Sequence, residues 1–415
     1  MRVLTKGKTG TRLWFMKFDR GFTVLWLAAT TSALGDGVRW IALPLLAVGL
    51  STNPGTVALV TAAEQAPWLL FGLFAGVLAD RYDRRRVIWW TDVGRGLLAT
   101  GFAVAVVCDA ATIALIAAAG FLLTCGETLS GAATNGLIPA LVPAPARPAA
   151  NGRLQAGVLV TDTLVGSPLG AVLFTVAAVA PFALDAATFF AAAALIALVP
   201  GRHRPAEPAT RPVRTEIAEG VRFLWQHRVL RLLCGLAAVN AVIFTGLVAI
   251  LVLYATQVLH LSPTGYGLLV ATFAVGGIAG GLAAGRLATL LGTRACLVSA
   301  VAVYAVCAAT VGVTGSVLVA GAAIAVFGAA SSVSGAVTAS VRQTAVPDGL
   351  LGRVTSAFRL VNYGAGPLGA LGAGALAQVA GLRAPFLAGA GIALVMVVVT
   401  ARYLTPASTL VSQST

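Results

Sequence analysis

The chain has 415 residues, of which 58% are hydrophobic and only 10% charged. That leaves too little polar surface to cover a soluble protein of this length. The net charge of +14 does not mark a nucleic-acid binder, because the arginines sit in short segments between apolar runs, with no basic face and no aromatic-interleaved patch.

The apolar runs are too long for barrel strands, so helices are the way across lipid. A hydrocarbon core ~30 Å thick takes about 20 apolar residues per helix. In chain order, six basic residues between Arg2 and Arg20 make an N-terminal tail, 1–20. The apolar pattern starts at Gly21 and continues through Leu50, so a first membrane helix is expected near 22–50 rather than a cleaved leader. Further spans are expected near 56–79, 87–108, 110–140, 151–178 and 180–199, and then near 229–258, 264–290, 294–313, 316–343, 352–379 and 383–404. Between the two sets lies a polar linker, 200–228, with Pro205, Pro208 and Pro212 followed by an amphipathic stretch, Thr215–Arg228. The last residues, 405–415, form a second tail. The expected fold is an all-α membrane protein of twelve transmembrane helices in two six-helix halves, 21–199 and 229–404.

The halves repeat each other. Gly76 to Arg85 is answered by Gly285 to Arg294. Val142-Pro143 with Gly152-Arg153 is answered by Val346-Pro347 with Gly352-Arg353. Ser167-Pro168-Leu169-Gly170-Ala171 is answered by Gly366-Pro367-Leu368-Gly369-Ala370. Three matches in the same order indicate duplication, a transporter design that puts the substrate site between the halves at mid-membrane.

Charge sets the expected orientation. Arg81, Arg84, Arg85 and Arg86, then Arg147 and Arg153, the arginines of 202–231, Arg286 with Arg294, and Arg342 with Arg353 all fall at one set of span ends, while the opposite set holds Arg383. The positive-inside rule makes the arginine-rich ends and both termini cytoplasmic.

The charges inside the spans are the candidate chemistry. Asp36, Arg39, Glu64, Glu127, Asp162 and Asp185 all lie in the first half. An unpaired ion in hydrocarbon costs several kcal/mol, so each is expected to face a partner, the bundle interior or water. Asp36 and Arg39 are three apart on one helix face and are expected to pair. Glu127 and Asp162 fall mid-span, where ionising a carboxyl is most costly. A carboxyl that takes a proton on one side and releases it on the other couples a proton gradient to conformational change; Asp36, Glu127 and Asp162 are the candidates, with Arg39 and Glu64 beside them. By the repeat, Asn362 answers Asp162. Asp92 and Arg95, three apart, read as a structural pair. Five scattered cysteines and three histidines in the whole chain offer no metal-binding or disulfide spacing. No nucleophile–base pair or phosphate loop points to an enzyme, and no large soluble domain points to a sensor.

The stretch Gly76-x-x-x-Asp80-Arg81-x-x-Arg84-Arg85 resembles the loop signature after the second helix of the major facilitator superfamily. Gly35-Asp36, Ala42-Leu43-Pro44, Pro67, Asp92-x-x-Arg95, Phe182 to Phe189 with Asp185, and Gly352-Arg353-Val354 extend the likeness over about residues 20–405. They are similar to the drug:proton antiporter branch of macrolide and tetracycline exporters, which also holds enterobactin exporters and lysophospholipid flippases. Two features depart from the pattern: Asp83 stands where the signature often has Gly, and no Arg lies within 110–140.

The resemblance implies a major facilitator fold in the plasma (inner) membrane, acting as a monomer without cofactor or metal. It implies proton-coupled efflux of a small lipophilic molecule, with membrane lipids around it, or siderophore export or lipid flipping on the same scaffold. It also implies that Gly76, Asp80, Arg81, Arg84 and Arg85, with Asp92 and Arg95, latch the cytoplasmic ends of the halves. Physically, Gly76 lets helices approach, and Asp80 at a helix end can accept backbone N–H groups or pair with Arg. The arginines can also hold anionic lipid headgroups.

Overall fold

The computed structural model describes residues 18–201 and 213–403, and within these only the backbone of Leu73, Gly76, Val77, Ala79, Asp80, 213–217, Asp348 and Gly349. Most of both tails, linker residues 202–212 and the surroundings of Gly76 and of the Asp80 side chain therefore lie outside what is described. The first half is α1 (Arg20–Leu50), α2 (Pro54–Arg81), α3 (Arg84–Val107), α4 (Ile113–Leu141), α5 (Ala144–Val176) and α6 (Ala180–Ile196). A short helix, α7 (Val213–Gln226), precedes α8 (Arg228–Val258), α9 (Pro263–Val313), α10 (Val317–Ala345), α11 (Asp348–Ala380) and α12 (Ala384–Tyr403). Gly292 breaks α9 at φ 76°, ψ 162°, a backbone state that a residue without Cβ adopts at little cost. The break makes two spans, 263–291 and 293–313, and brings the total among the described residues to twelve. Seven of these helices, counting α9 once, are long and apolar enough to cross a bilayer by length and composition alone.

Short caps turn the chain between spans. The Asn53 side chain accepts from the Gly55 and Thr56 N–H groups, with Pro54 opening α2. Thr112 caps α4 and Ser262 caps α9 in the same way. Asp83, the departure from the loop signature, is the N-cap of α3 and accepts from the Arg86 N–H at 3.2 Å. An N-cap acid supplies an acceptor to an otherwise unpaired N–H, so Asp does work at this position that Gly cannot.

The duplication is visible in the packing. α5 crosses α1 where Gly170 lies on Val38, and α11 crosses α8 where Gly369 lies on Val242. A Cβ on Gly170 would fall 2.8 Å from Val38 Cα, and one on Gly369 2.7 Å from Val242 Cα. These are equivalent crossings in the two halves, and both need a missing side chain.

The halves meet chiefly through α2 on α11 and α5 on α9. At the end opposite the arginines they touch closely. A Cβ on Gly374 would lie 3.2 Å from Gly55 Cα, and one on Gly267 would lie 3.0 Å from the Ser167 carbonyl oxygen. At the basic end the Cβ positions of Gly72 and Gly152 meet nothing within 4 Å. α7 packs on α11, with Glu219 ion-paired to Arg353. In the first half, an apolar cluster around Phe22, Ile88, Leu137 and Leu154 fills the basic end. Another, around Leu43, Val60, Phe102 and Ile116, fills the opposite end. The charged residues lie between them.

Candidate functional site

Arg39 of α1 is the hub. It is only 2% exposed and faces four carboxyl groups from four helices: Asp36 at 3.0 Å, Glu64 of α2 at 3.3 Å, Glu127 of α4 at 3.5 Å and Asp185 of α6 at 3.8 Å. The expected Asp36–Arg39 pair is therefore present, inside a larger cluster. A second guanidinium, Arg95 of α3, donates to Asp36, lies 3.3 Å from Ser32 Oγ, and stacks over Phe189 with 3.9 Å from Cζ to the ring centroid. Five helices are tied together through two arginines.

Arg95 does more than the expected pairing with Asp92. It sits three turns into α3 at the depth of Asp36, so its guanidinium donates to α1 while its charge still acts on Asp92 one turn away. Asp92 is buried and takes a hydrogen bond from Ser130 of α4, while its Oδ1 has no hydrogen-bond partner. The cation that the resembled pattern would put on the fourth helix is supplied from elsewhere, because Arg39 reaches Glu127 from α1. With Asp92 and Asp162, six carboxyl groups share this region with two guanidinium groups. That surplus cannot be ionised in a low-dielectric interior without protons or a bound cation to balance it.

Asp162 owes its position to a local irregularity. Val160–Gly166 of α5 is a π-helical stretch. Its wider turn lets the consecutive residues Asp162 and Thr163 both line one cavity. The Thr163 hydroxyl donates to Asp162 at 3.2 Å.

Two chambers lie between the halves. The upper one, toward the sealed end, has a volume of about 280 Å³, and the lower one, toward the basic end, about 590 Å³. Asp36, Glu127 and Asp162 line both; Arg39 and Glu64 line the upper, and Asp92 and Arg95 the lower. Across the upper chamber stands a wall from the second half that includes Phe244, Phe273, Phe327 and Phe386. Phe244 and Phe273 have ring centroids 5.2 Å apart, and Tyr304 backs Phe327 at 4.7 Å. The sequence offers no signal for this wall, since an aromatic facing the cavity and one facing lipid look the same in an apolar run.

Asn362 lines neither chamber. On α11 the lower chamber is faced by Ser356, Arg359, Leu360 and Tyr363, and Asn362 sits to one side of that stripe. The repeat placed it opposite Asp162 in sequence, but helix rotation turns it away. Near the loop, Arg84 donates to the Gly136 carbonyl and Arg85 to the Ala197 carbonyl, each at 2.6 Å. These bonds hold the start of α3 to α4 and the end of α6. Arg81 is exposed at the end of α2.

The sequence model of the transmembrane secretion effector family matches residues 17–412. The chain is similar to the multidrug efflux pump Tap of Mycobacterium tuberculosis, with 29% identity over 389 residues, 89% of this chain and 90% of that one. It is also similar to the enterobactin exporter EntS of Citrobacter koseri, with 28% identity over 288 residues, 66% of this chain and 65% of that one. Among solved structures, a bacterial homologue of the iron transporter ferroportin in an inward-facing state superposes with a TM-score of 0.74 at 17% identity, covering 95% of this chain and 99% of that one. At that identity the likeness speaks for the fold.

Proposed function

This chain belongs to the transmembrane secretion effector family of the major facilitator superfamily, a family of multi-pass transporters of small molecules, and we propose that it is a proton-coupled exporter of small lipophilic compounds, cationic ones above all. The observation that carries this reading is the two-faced upper chamber. Asp36, Glu64, Glu127 and Asp162 line one side and Phe244, Phe273 and Phe327 the other. Carboxylates attract a cation, and ring faces take both its apolar body and its charge. A proton and a substrate cation then compete for the same carboxyl groups. Discharge of one by the other is the differential binding that biases one conformation over another.

In this reading the structure is open toward the arginine-rich end. The positive-inside rule puts that end and both termini in the cytoplasm, with the chain a monomer in the plasma (inner) membrane. Substrate enters the lower chamber from inside and leaves when the halves rock about α2–α11 and α5–α9. The motif of Gly76, Asp80 and Arg81 latches the cytoplasmic ends in the opposite state, with Arg84 and Arg85 holding the turn rigid against α4 and α6. The similarity to Tap supports efflux of drugs. The similarity to the enterobactin exporter supports a second reading, siderophore export, but a surplus of acids in the chamber is a poor host for an anion.

The test is drug accumulation in inside-out vesicles energised by a pH gradient. Accumulation that survives collapse of the gradient would sink proton coupling, and absence of transport for a panel of lipophilic cations would sink the substrate class.

A further inference from the structure

The two chambers meet at a shared boundary, the waist. Four side chains line both chambers: Asp36, Trp68, Glu127 and Asp162. Three are acids of the first half. The fourth is an indole on α2 that faces the phenol of Tyr363 on α11. The two rings stack with centroids 5.0 Å apart and planes 23° from parallel. Trp68 belongs to the first half and Tyr363 to the second, so the stack bridges the interface along which the halves must part.

The neighbouring residues set the approach. Leu69 lies against Gly364, where a Cβ would come within 2.8 Å of Leu69 Cδ1. The missing side chain lets α2 and α11 come close enough for the rings to overlap. Farther along the same two helices, the contact at Gly374 and Gly55 keeps the opposite end shut. The ring pair bridges the same two helices farther toward the basic end, where a parting of the halves about the Gly374–Gly55 contact would separate it.

We propose that Trp68 and Tyr363 form an aromatic gate between the lower and upper chambers, and that the opening it allows sets the girth of the substrate admitted. The acids at the waist do not close it. They share one sign, sit on one half, and two of the three helices that carry them, α1 and α4, are tied through Arg39. The rings are uncharged, lie on opposite halves, and are held by a modest stacking attraction that thermal motion overcomes. Tyr363 lines the lower chamber only and is 37% exposed, so it has room to swing toward the basic end. The gate rests on the export reading only for the direction in which substrate passes.

Cys307 is a natural reporter, because it lines the upper chamber and not the lower. The experiment uses the full chain carrying Cys108→Ala, Cys125→Ala, Cys234→Ala and Cys296→Ala in inside-out vesicles. A small maleimide and a membrane-impermeant maleimide with a bulky headgroup are applied to the basic end. Small-reagent labelling of Cys307 is expected to be insensitive to the gate. Bulky-reagent labelling is expected to be slow, to rise about fivefold or more with Trp68→Ala or Tyr363→Ala as the stack is lost, and to stay slow with Tyr363→Phe, which keeps the ring. Bulky labelling unchanged in both alanine variants overturns the gate, as does a phenylalanine variant that behaves like the alanine one. Should Trp68→Ala loosen the fold, seen as faster labelling by the small reagent as well, Tyr363→Ala decides. The measurement uses neither drug nor proton gradient, so the gate and the export reading can fail separately.

Discussion

Glu127 lies 3.5 Å from Arg39 and is the most exposed of that arginine's four carboxyl partners, at 36% against 13% for Asp36, 4% for Glu64 and 0% for Asp185. It is thus the partner best placed to exchange with both a proton and a substrate. Glu127→Gln keeps the shape of the side chain and removes its charge. Proton-driven export is expected to fall by about tenfold or more, since a group that titrates in the cycle cannot be replaced by one that does not. The amount of protein in the membrane is expected to stay normal, because Arg39 keeps Asp36, Glu64 and Asp185 as partners when Glu127 loses its charge. Vesicle transport beside an immunoblot of membrane fractions measures both, and full transport by the variant would remove Glu127 from the coupling path.

Arg39 has the opposite character. Its removal in Arg39→Leu leaves Glu64 and Asp185 buried without their cation. Breaking a buried pair from one side costs about 3–5 kcal/mol. The variant is expected to melt at a clearly lower temperature in detergent, or to be degraded in cells. A melting temperature equal to that of the parent would show that the cluster is not held through Arg39.

Gly170 and Gly369 are expected to behave alike. Gly170→Val and Gly369→Val each force a branched side chain into a helix crossing with no space for a Cβ, an overpacking that costs ~1–3 kcal/mol or more. Gly391→Ala, where a Cβ meets nothing within 4 Å, is the control and is expected to be tolerated. Yields of folded, monodisperse protein separate the three variants; normal yields from both valine variants would argue against the shared crossing.

Phe327 stands in the apolar wall of the upper chamber. Phe327→Ala is expected to weaken binding of a lipophilic cation by about tenfold through lost ring contact, raising KM more than it lowers the maximal rate. A polar, non-aromatic substrate is expected to respond less. Equal losses for both substrate kinds would point to a folding defect instead of a binding surface.

Asp80 belongs to the loop motif. Asp80→Asn is expected to impair transport while leaving insertion and drug binding intact, because a latch acts on the cycle and not on the site. Normal turnover in the variant would leave the motif with a topological role alone.

The one-dimensional features of this protein were legible in its sequence. A span expected at 22–50 is α1, Arg20–Leu50, and one expected at 229–258 is α8, Arg228–Val258. The bilayer imposes a minimum apolar length on every helix, and arginines mark where it ends, so both signals are local. The Asp36–Arg39 pair was legible for the same reason, since residues three apart on a helix must share a face. Gly170 and Gly369 were legible as a repeat; that each lies at a close helix crossing, where a side chain must be missing, came from the structure.

What only the tertiary structure decided is how those helices are rotated against one another. Arg39 gathers Glu64, Glu127 and Asp185 from three other helices, and the long Arg95 side chain reaches Asp36 and Ser32 of α1, because α1 and α3 both pack on α6. Asn362 faces away from the chamber although its counterpart Asp162 lines it. The wall of Phe244, Phe273 and Phe327 and the stack of Trp68 on Tyr363 were beyond sequence reasoning altogether. In a membrane protein, apolar residues face both the lipid and the interior, so hydrophobicity cannot tell the inner face from the outer one. The carboxyl groups announced a site by their cost in hydrocarbon; their partners and the surface facing them came from the packing of the two halves.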